Sequence, residues 1–146
     1  MLKILFRLLF LLTMMRTGIA QADLVLITNA GTAVDNLSRE EAVNIYMGRL
    51  RRFPSGEAAH PLDLPPSATE KALFYRLLVN KELSDINAYW ARLVFSGRAS
   101  PPRTVGSVAE AIEHVAKEPN VIGYVDRSLV DNRVKIILEL SSKGTH

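Results

Sequence analysis

After an apolar opening run, the chain settles into short blocks whose hydrophobic spacing alternates between strand and helix periods. Leu24-Val25-Leu26-Ile27-Thr28, ended by Asn29-Ala30-Gly31, is a β-leaning run of the kind that leaves a buried sheet through a turn. Ser38 with Glu41 forms a capping-box pattern; behind it Ala42, Ile45 and Tyr46 share one helical face, and Gly48 stops the helix. Residues 49–56 are a basic loop containing Pro and Gly, and residues 57–64 predict a second strand closed by Pro65-Pro66. Ser67 with Glu70 repeats the capping pattern before an apolar stripe of Leu73, Phe74, Leu77 and Leu78. A third helix is predicted over residues 84–95, burying Ile86, Tyr89, Trp90, Leu93 and Val94. Beyond the rigid Pro101-Pro102 connection, Ser107 with Glu110 opens a fourth helix facing inward through Val108, Ala111, Ile112 and Val115. Pro119-Asn120 breaks it. Two strands follow, residues 121–125 and 134–140, and the last six residues are expected to fray. Strand, helix, strand, three-helix region, strand, strand is the order of an α/β fold, a mixed sheet flanked by helices.

The opening run carries a different message. Lys3 precedes it, Arg7 and Thr13 alone interrupt residues 4–15, and Ala20-Gln21-Ala22 places small residues one and three positions before a cut. That is a secretory signal peptide over residues 1–22, leaving one domain over residues 23–146. A membrane anchor is the competing reading, but Arg7 and Arg16 leave only residues 8–15 free of charge, against the roughly 20 apolar residues a spanning helix needs.

Composition changes meaning once that segment is set aside. The formal net charge is +3, and Lys3, Arg7 and Arg16 account for all of it. The remainder is balanced, so the basicity is a targeting feature and no nucleic-acid partner is expected. Cysteine is absent. This excludes a thiolate metal or redox site and the lipid-modified cysteine of a lipoprotein. The expected home is the periplasm.

Four passages resemble the phosphate-type substrate-binding proteins of ABC transporters, a branch of the type II periplasmic binding proteins. They are Leu37-Ser38-Arg39-Glu40-Glu41 with Ile45-Tyr46-Met47-Gly48; Ser67-Ala68-Thr69 before a helix containing Phe74; Trp90 with Phe95-Ser96-Gly97 and Pro101; and Asn120-Val121-Ile122-Gly123-Tyr124-Val125. Their order and spacing cover nearly all of the chain after residue 22. The resemblance implies one lobe of such a protein, a short single-lobe member, whereas full-length relatives close two lobes on their ligand. It further implies a non-enzymatic domain that binds inorganic phosphate or a similar oxyanion and serves an ABC permease, with no cofactor. The alternative is a regulatory or interaction module of the cell envelope that kept the lobe's fold and lost tight binding. Its cleft face would then meet a second copy, as a homodimer, or another envelope protein.

The chemistry for an anion is available without unusual side chains. A helix's first turn carries unpaired N–H donors and the positive end of its dipole, and small hydroxyl residues there add donors. Ser67, Ala68 and Thr69 fit that description; equally, Ser67 could be an ordinary N-cap, and the two roles can coexist. Where the family has an arginine four residues before the serine, this chain has Asp63, and Ala68 replaces a glycine. A carboxylate 4 Å from a phosphate repels it by about 1 kcal/mol in water and about 4 kcal/mol at intermediate dielectric. On that reasoning binding is weak, and Asp63→Arg should strengthen it. Arg51, with Arg49 and Arg52, is the alternative cation; otherwise that loop is simply solvated. His60 and His114 lack metal-ligand spacing, so no metal is expected. Tyr89 and Trp90 read as core rather than as a ligand platform, and no G-x-S-x-G elbow surrounds Ser67, which argues against a hydrolase.

Overall fold

A computed structural model describes residues 23–140; the signal peptide and the frayed C-terminus expected from sequence lie outside those residues. The elements run β1 (Leu24–Asn29), α1 (Arg39–Tyr46), β2 (His60–Asp63), α2 (Thr69–Val79), α3 (Leu83–Phe95), β3 (Arg103–Thr104), α4 (Val108–Lys117), β4 (Val121–Asp126), a 3-10 turn (Arg127–Leu129) and β5 (Val134–Glu139). The five strands form one sheet in the order β3-β2-β4-β1-β5. β1 runs antiparallel to both β4 and β5, while β2 is parallel to β4 and β3. None of the helices among the described residues is long and apolar enough to cross a membrane.

Why the sheet is buried on both faces follows from its two central strands. Leu24 to Ile27 of β1 and Ile122 and Val125 of β4 are fully buried, so both faces must be covered. Register assigns the faces. Leu26 pairs with Tyr124 and Ile27 with Gly123. Gly123 lies against Val115 of α4, whereas Tyr124 stacks on Phe74 of α2, with centroids 3.8 Å apart. Thus α4 covers one face, and α1 and α2 cover the other, where Tyr46, Phe74, Tyr75 and Tyr124 form an aromatic cluster.

Local signals explain most boundaries. The Ser38 hydroxyl accepts from the Glu41 N–H at 3.1 Å and the Glu41 carboxylate accepts from the Ser38 N–H at 2.7 Å, a complete capping box. Ser107 caps α4 in the same way, but Glu110 reaches past it to the Gly106 N–H at 2.8 Å. The Ser67 capping box does not form. Helix α2 starts at Thr69, its N-cap is Ala68, and no side chain caps it. Here Ala68 N–H donates to the Pro65 carbonyl at 2.9 Å, so the Pro65-Pro66 turn sets the helix start one residue later than the serine suggests.

Three other expectations need correction. The connection at Pro101-Pro102 contains the short edge strand β3, which splits the three-helix region; proline immediately before an edge strand removes no ladder hydrogen bond. β2 begins only at His60, because Arg52 and Ala58 pair with each other in an antiparallel bridge and fold residues 52–58 back on themselves. Val94 is 54% exposed and Phe95 96% exposed. Helix α3 is buried only at Ile86 and Trp90, and its last two residues face solvent.

Gly48 ends α1 in the left-handed region at φ 74°, and a Cβ there would lie 2.7 Å from the Trp90 ring. Both backbone strain and overpacking oppose any side chain. Gly48→Ala is expected to lower stability by about 2–4 kcal/mol in urea denaturation, combining the left-handed and overpacking costs; an unchanged midpoint would contradict this packing.

Candidate functional site

Asp63 ends β2 and is only 6% exposed. A buried carboxylate needs donors and a compensating charge, and the fold supplies both. Tyr75 of α2 donates to Oδ2 at 2.6 Å, and Tyr124 of β4 donates to Oδ1 at 2.5 Å. The Leu64 N–H donates to Oδ1 at 2.9 Å, and the Lys71 ammonium lies 3.5 Å from Oδ2. Tyr46 completes the surroundings by donating to the Leu62 carbonyl at 3.0 Å. Burial pushes the Tyr75 and Tyr124 hydroxyls well above their ordinary range, and the Asp63 charge adds to the shift. They remain protonated donors.

This geometry changes what Asp63 means. Sequence placed it among ligand groups as a repulsive carboxylate. The structure turns it inward, occupied by four partners, with Lys71 offsetting its charge. Asp63→Arg would therefore force a guanidinium among two tyrosines and a lysine. Leaving a buried charge unpartnered costs about 3–5 kcal/mol, so the substitution destabilises the fold instead of building an anion contact.

The segment that Asp63 anchors carries the other candidates. Ser67 and Thr69 are exposed, and Ala68 is half-buried. The Ala68 N–H is spent on Pro65, and the Lys71 N–H donates to the Ala68 carbonyl at 3.2 Å. Among the described residues, no acceptor meets the N–H groups of Thr69 or Glu70 or the hydroxyls of Ser67 and Thr69. Helix α2 thus opens with unspent donors at its positive end, beside Lys71. Glu70, freed from capping, places one acid in the same turn and works against an anion.

Arg51 is not part of this group. It lines a cavity of about 720 Å³ at the opposite, N-terminal end of β2, together with Arg52, His60, Arg103 and Trp90. None of residues 67–69 lines that cavity. Asp63 is held by Leu64, Tyr75, Tyr124 and Lys71, on either side in sequence of Ser67, Ala68 and Thr69, and Arg51 lies elsewhere. The tyrosine pair was missed from sequence. Tyr75 gave one signal, a polar-tipped aromatic beside the apolar stripe of α2, but nothing local linked it to Tyr124.

No model of a known protein family matches the sequence, and no curated protein matches it either. Solved structures do share its fold. A Clostridium perfringens protein described as a phosphate ABC transporter substrate-binding protein, solved with bound phosphate, gives a TM-score of 0.63 at 16% identity, over 80% of this chain and 44% of its own. An ABC-type phosphate transport receptor from Vibrio cholerae gives 0.63 at 20% identity, over 80% and 45%. PstS from Borrelia burgdorferi gives 0.60 at 18% identity, over 80% and 47%. The chain has the fold of one part of these proteins and spans less than half of their length.

Burial also raises Tyr46, so three tyrosines hold their protons in the folded state beyond the pH at which they release them when unfolded. Their stabilising effect is fully present below the ordinary tyrosine pKa of about 10 and declines above it. Stability should fall by up to about 4 kcal/mol per pH unit there, about 1.4 for each tyrosine. Urea midpoints between pH 8 and pH 11.5 check this, with Tyr124→Phe reducing the slope by about a third. A flat profile would mean the hydroxyls are not buried as described.

Proposed function

We propose that this chain is a non-enzymatic oxyanion-binding domain of the phosphate-importer type, exported by residues 1–22 to the periplasm, where it serves an ABC permease. Inorganic phosphate or a similar oxyanion sits at the open start of α2. The N–H groups of Thr69 and Glu70 and the hydroxyls of Ser67 and Thr69 donate to it, and Ala68 allows close approach. The observation that carries this reading is that start of α2: uncapped, exposed at Ser67 and Thr69, and rooted on Asp63. The neighbour solved with bound phosphate supports the choice of ligand. Affinity is weak, because Glu70 shares the turn and the donors come from one side only.

A second reading, a regulatory or interaction module of the envelope, draws on the exposed Phe95 and Val94 and on the chain's match to under half of its structural neighbours. In that reading a second copy or another envelope protein covers the exposed face.

Isothermal titration with inorganic phosphate and sulfate separates the two. The first reading expects phosphate binding near a millimolar, about 4 kcal/mol. It also expects at least a tenfold loss, about 1.4 kcal/mol, in the Ser67→Ala/Thr69→Ala protein. No heat with either anion, or binding untouched by that double substitution, overturns it. Light scattering that shows concentration-dependent assembly would then favour the interaction module.

A further inference from the structure

The cavity at the N-terminal end of β2 belongs to none of the chemistry above. Its volume of about 720 Å³ lies within the roughly 300–1,000 Å³ of pockets that bury small organic ligands, and is far larger than a single oxyanion requires. Three arginines from two backbone segments line it. Arg51 and Arg52 stand on the loop that folds back through the Arg52–Ala58 bridge, and Arg103 stands on β3, registered against Leu62 of β2.

The loop is held by its backbone: the Ala59 N–H donates to the Arg51 carbonyl at 2.9 Å and the Phe53 N–H to the Glu57 carbonyl at 2.8 Å. The main chain is therefore fixed beneath both arginines, and the Arg52 guanidinium donates to the Gly56 carbonyl at 2.8 Å. Arg51 and Arg52 take no acidic partner among the described residues. Arg103 faces Glu118 at 3.5 Å, and Glu118 is shared with His114. Three guanidiniums against one carboxylate leave the cavity with two uncompensated positive charges.

Apart from His60 and Ser100, the rest of the lining is apolar. Ile45, Leu62, Trp90 and Pro102 contribute buried side chains to the wall. Paired cations beside an aromatic and aliphatic wall suit a ligand with a doubly charged head and a hydrophobic body, and arginine's planar fork matches a phosphate oxygen pair.

We infer that this cavity is a binding site for an organic phosphate, a phosphomonoester on an apolar or planar body, separate from the start of α2. The phosphate group meets Arg51 and Arg52, Arg103 contacts its outer oxygens, and the organic body lies toward Trp90 and Pro102.

Trp90 is the chain's sole tryptophan, so its fluorescence reports on this cavity directly. The test titrates the protein with phenyl phosphate, inorganic phosphate and phenol, exciting at the tryptophan edge. Phenyl phosphate is expected to change the Trp90 signal saturably, with at least tenfold tighter binding than either fragment. Arg51→Ala/Arg52→Ala, at exposed positions, should weaken it at least tenfold, while Ser67→Ala/Thr69→Ala should leave it unchanged. Absence of a saturable change, equal binding of phenol, or indifference to the arginine substitutions would overturn the inference. So would a loss caused by the Ser67/Thr69 substitutions, which would move the ligand to the other site. Failure of phosphate to bind at α2 has no bearing on this signal, so the two ideas fall separately.

Discussion

A carboxylate buried at the end of a strand is the constraint around which this fold is arranged. Asp63 cannot be left in the core without donors, and the donors come from β4 through Tyr124, from α2 through Tyr75 and Lys71, and from its own neighbour Leu64. Satisfying one residue therefore ties α2 to two strands. Adjacent on the same helix, Phe74 stacks on Tyr124 and meets Tyr46 edge-on, so polar and apolar demands fix the same orientation. Removing any single partner would leave a buried charge or hydroxyl unmet, which costs more than the missing bond itself contributes.

That arrangement has a consequence at the surface. With its root pinned, the turn through Pro65 and Pro66 can spend the Ala68 N–H locally and still present the start of α2 outward. Helices α1 and α4 close their first turns with Ser38 and Ser107, whereas α2 leaves its own open despite a serine and a glutamate at capping spacing. The charge pattern separates along similar lines. Ion pairs join Asp23, just before β1, to Glu139 of β5 through Arg127 and tie α4 to the approach to β5 through Arg133, while among the described residues Arg51 and Arg52 stay without acidic partners. Exposed pairs of this kind add little stability; what matters is which guanidiniums they leave available.

Periodicity revealed most of the architecture. Each expected helix exists, and β1, β4 and β5 lie within a residue of their predicted bounds, because each is a strong local signal with a Gly, Pro or Asn punctuator on at least one flank. The two-residue strand β3 was invisible, since Arg103 and Thr104 carry no hydrophobic pattern and owe their state to pairing with β2. The exposure of Val94 was also hidden, because helical phase shows which face is apolar but not how far along the helix its neighbours reach. In the candidate site, the residue types at positions 67–69 were legible and their exposure was not. The inward turn of Asp63 depends on Tyr124, 61 positions away, a contact no local pattern encodes.

Asp63 supports the start of α2 from within, and we propose that this start is what meets the anion. Amide chemical shifts recorded by NMR during a titration with inorganic phosphate test it most directly. The largest changes are expected on the amides of Thr69 and Glu70, smaller ones on Ala68 and Lys71, and almost none on Asp63, whose side chain is already fully engaged. Changes centred on Asp63 or on the Arg51 loop, with the amides of Thr69 and Glu70 unmoved, would contradict it.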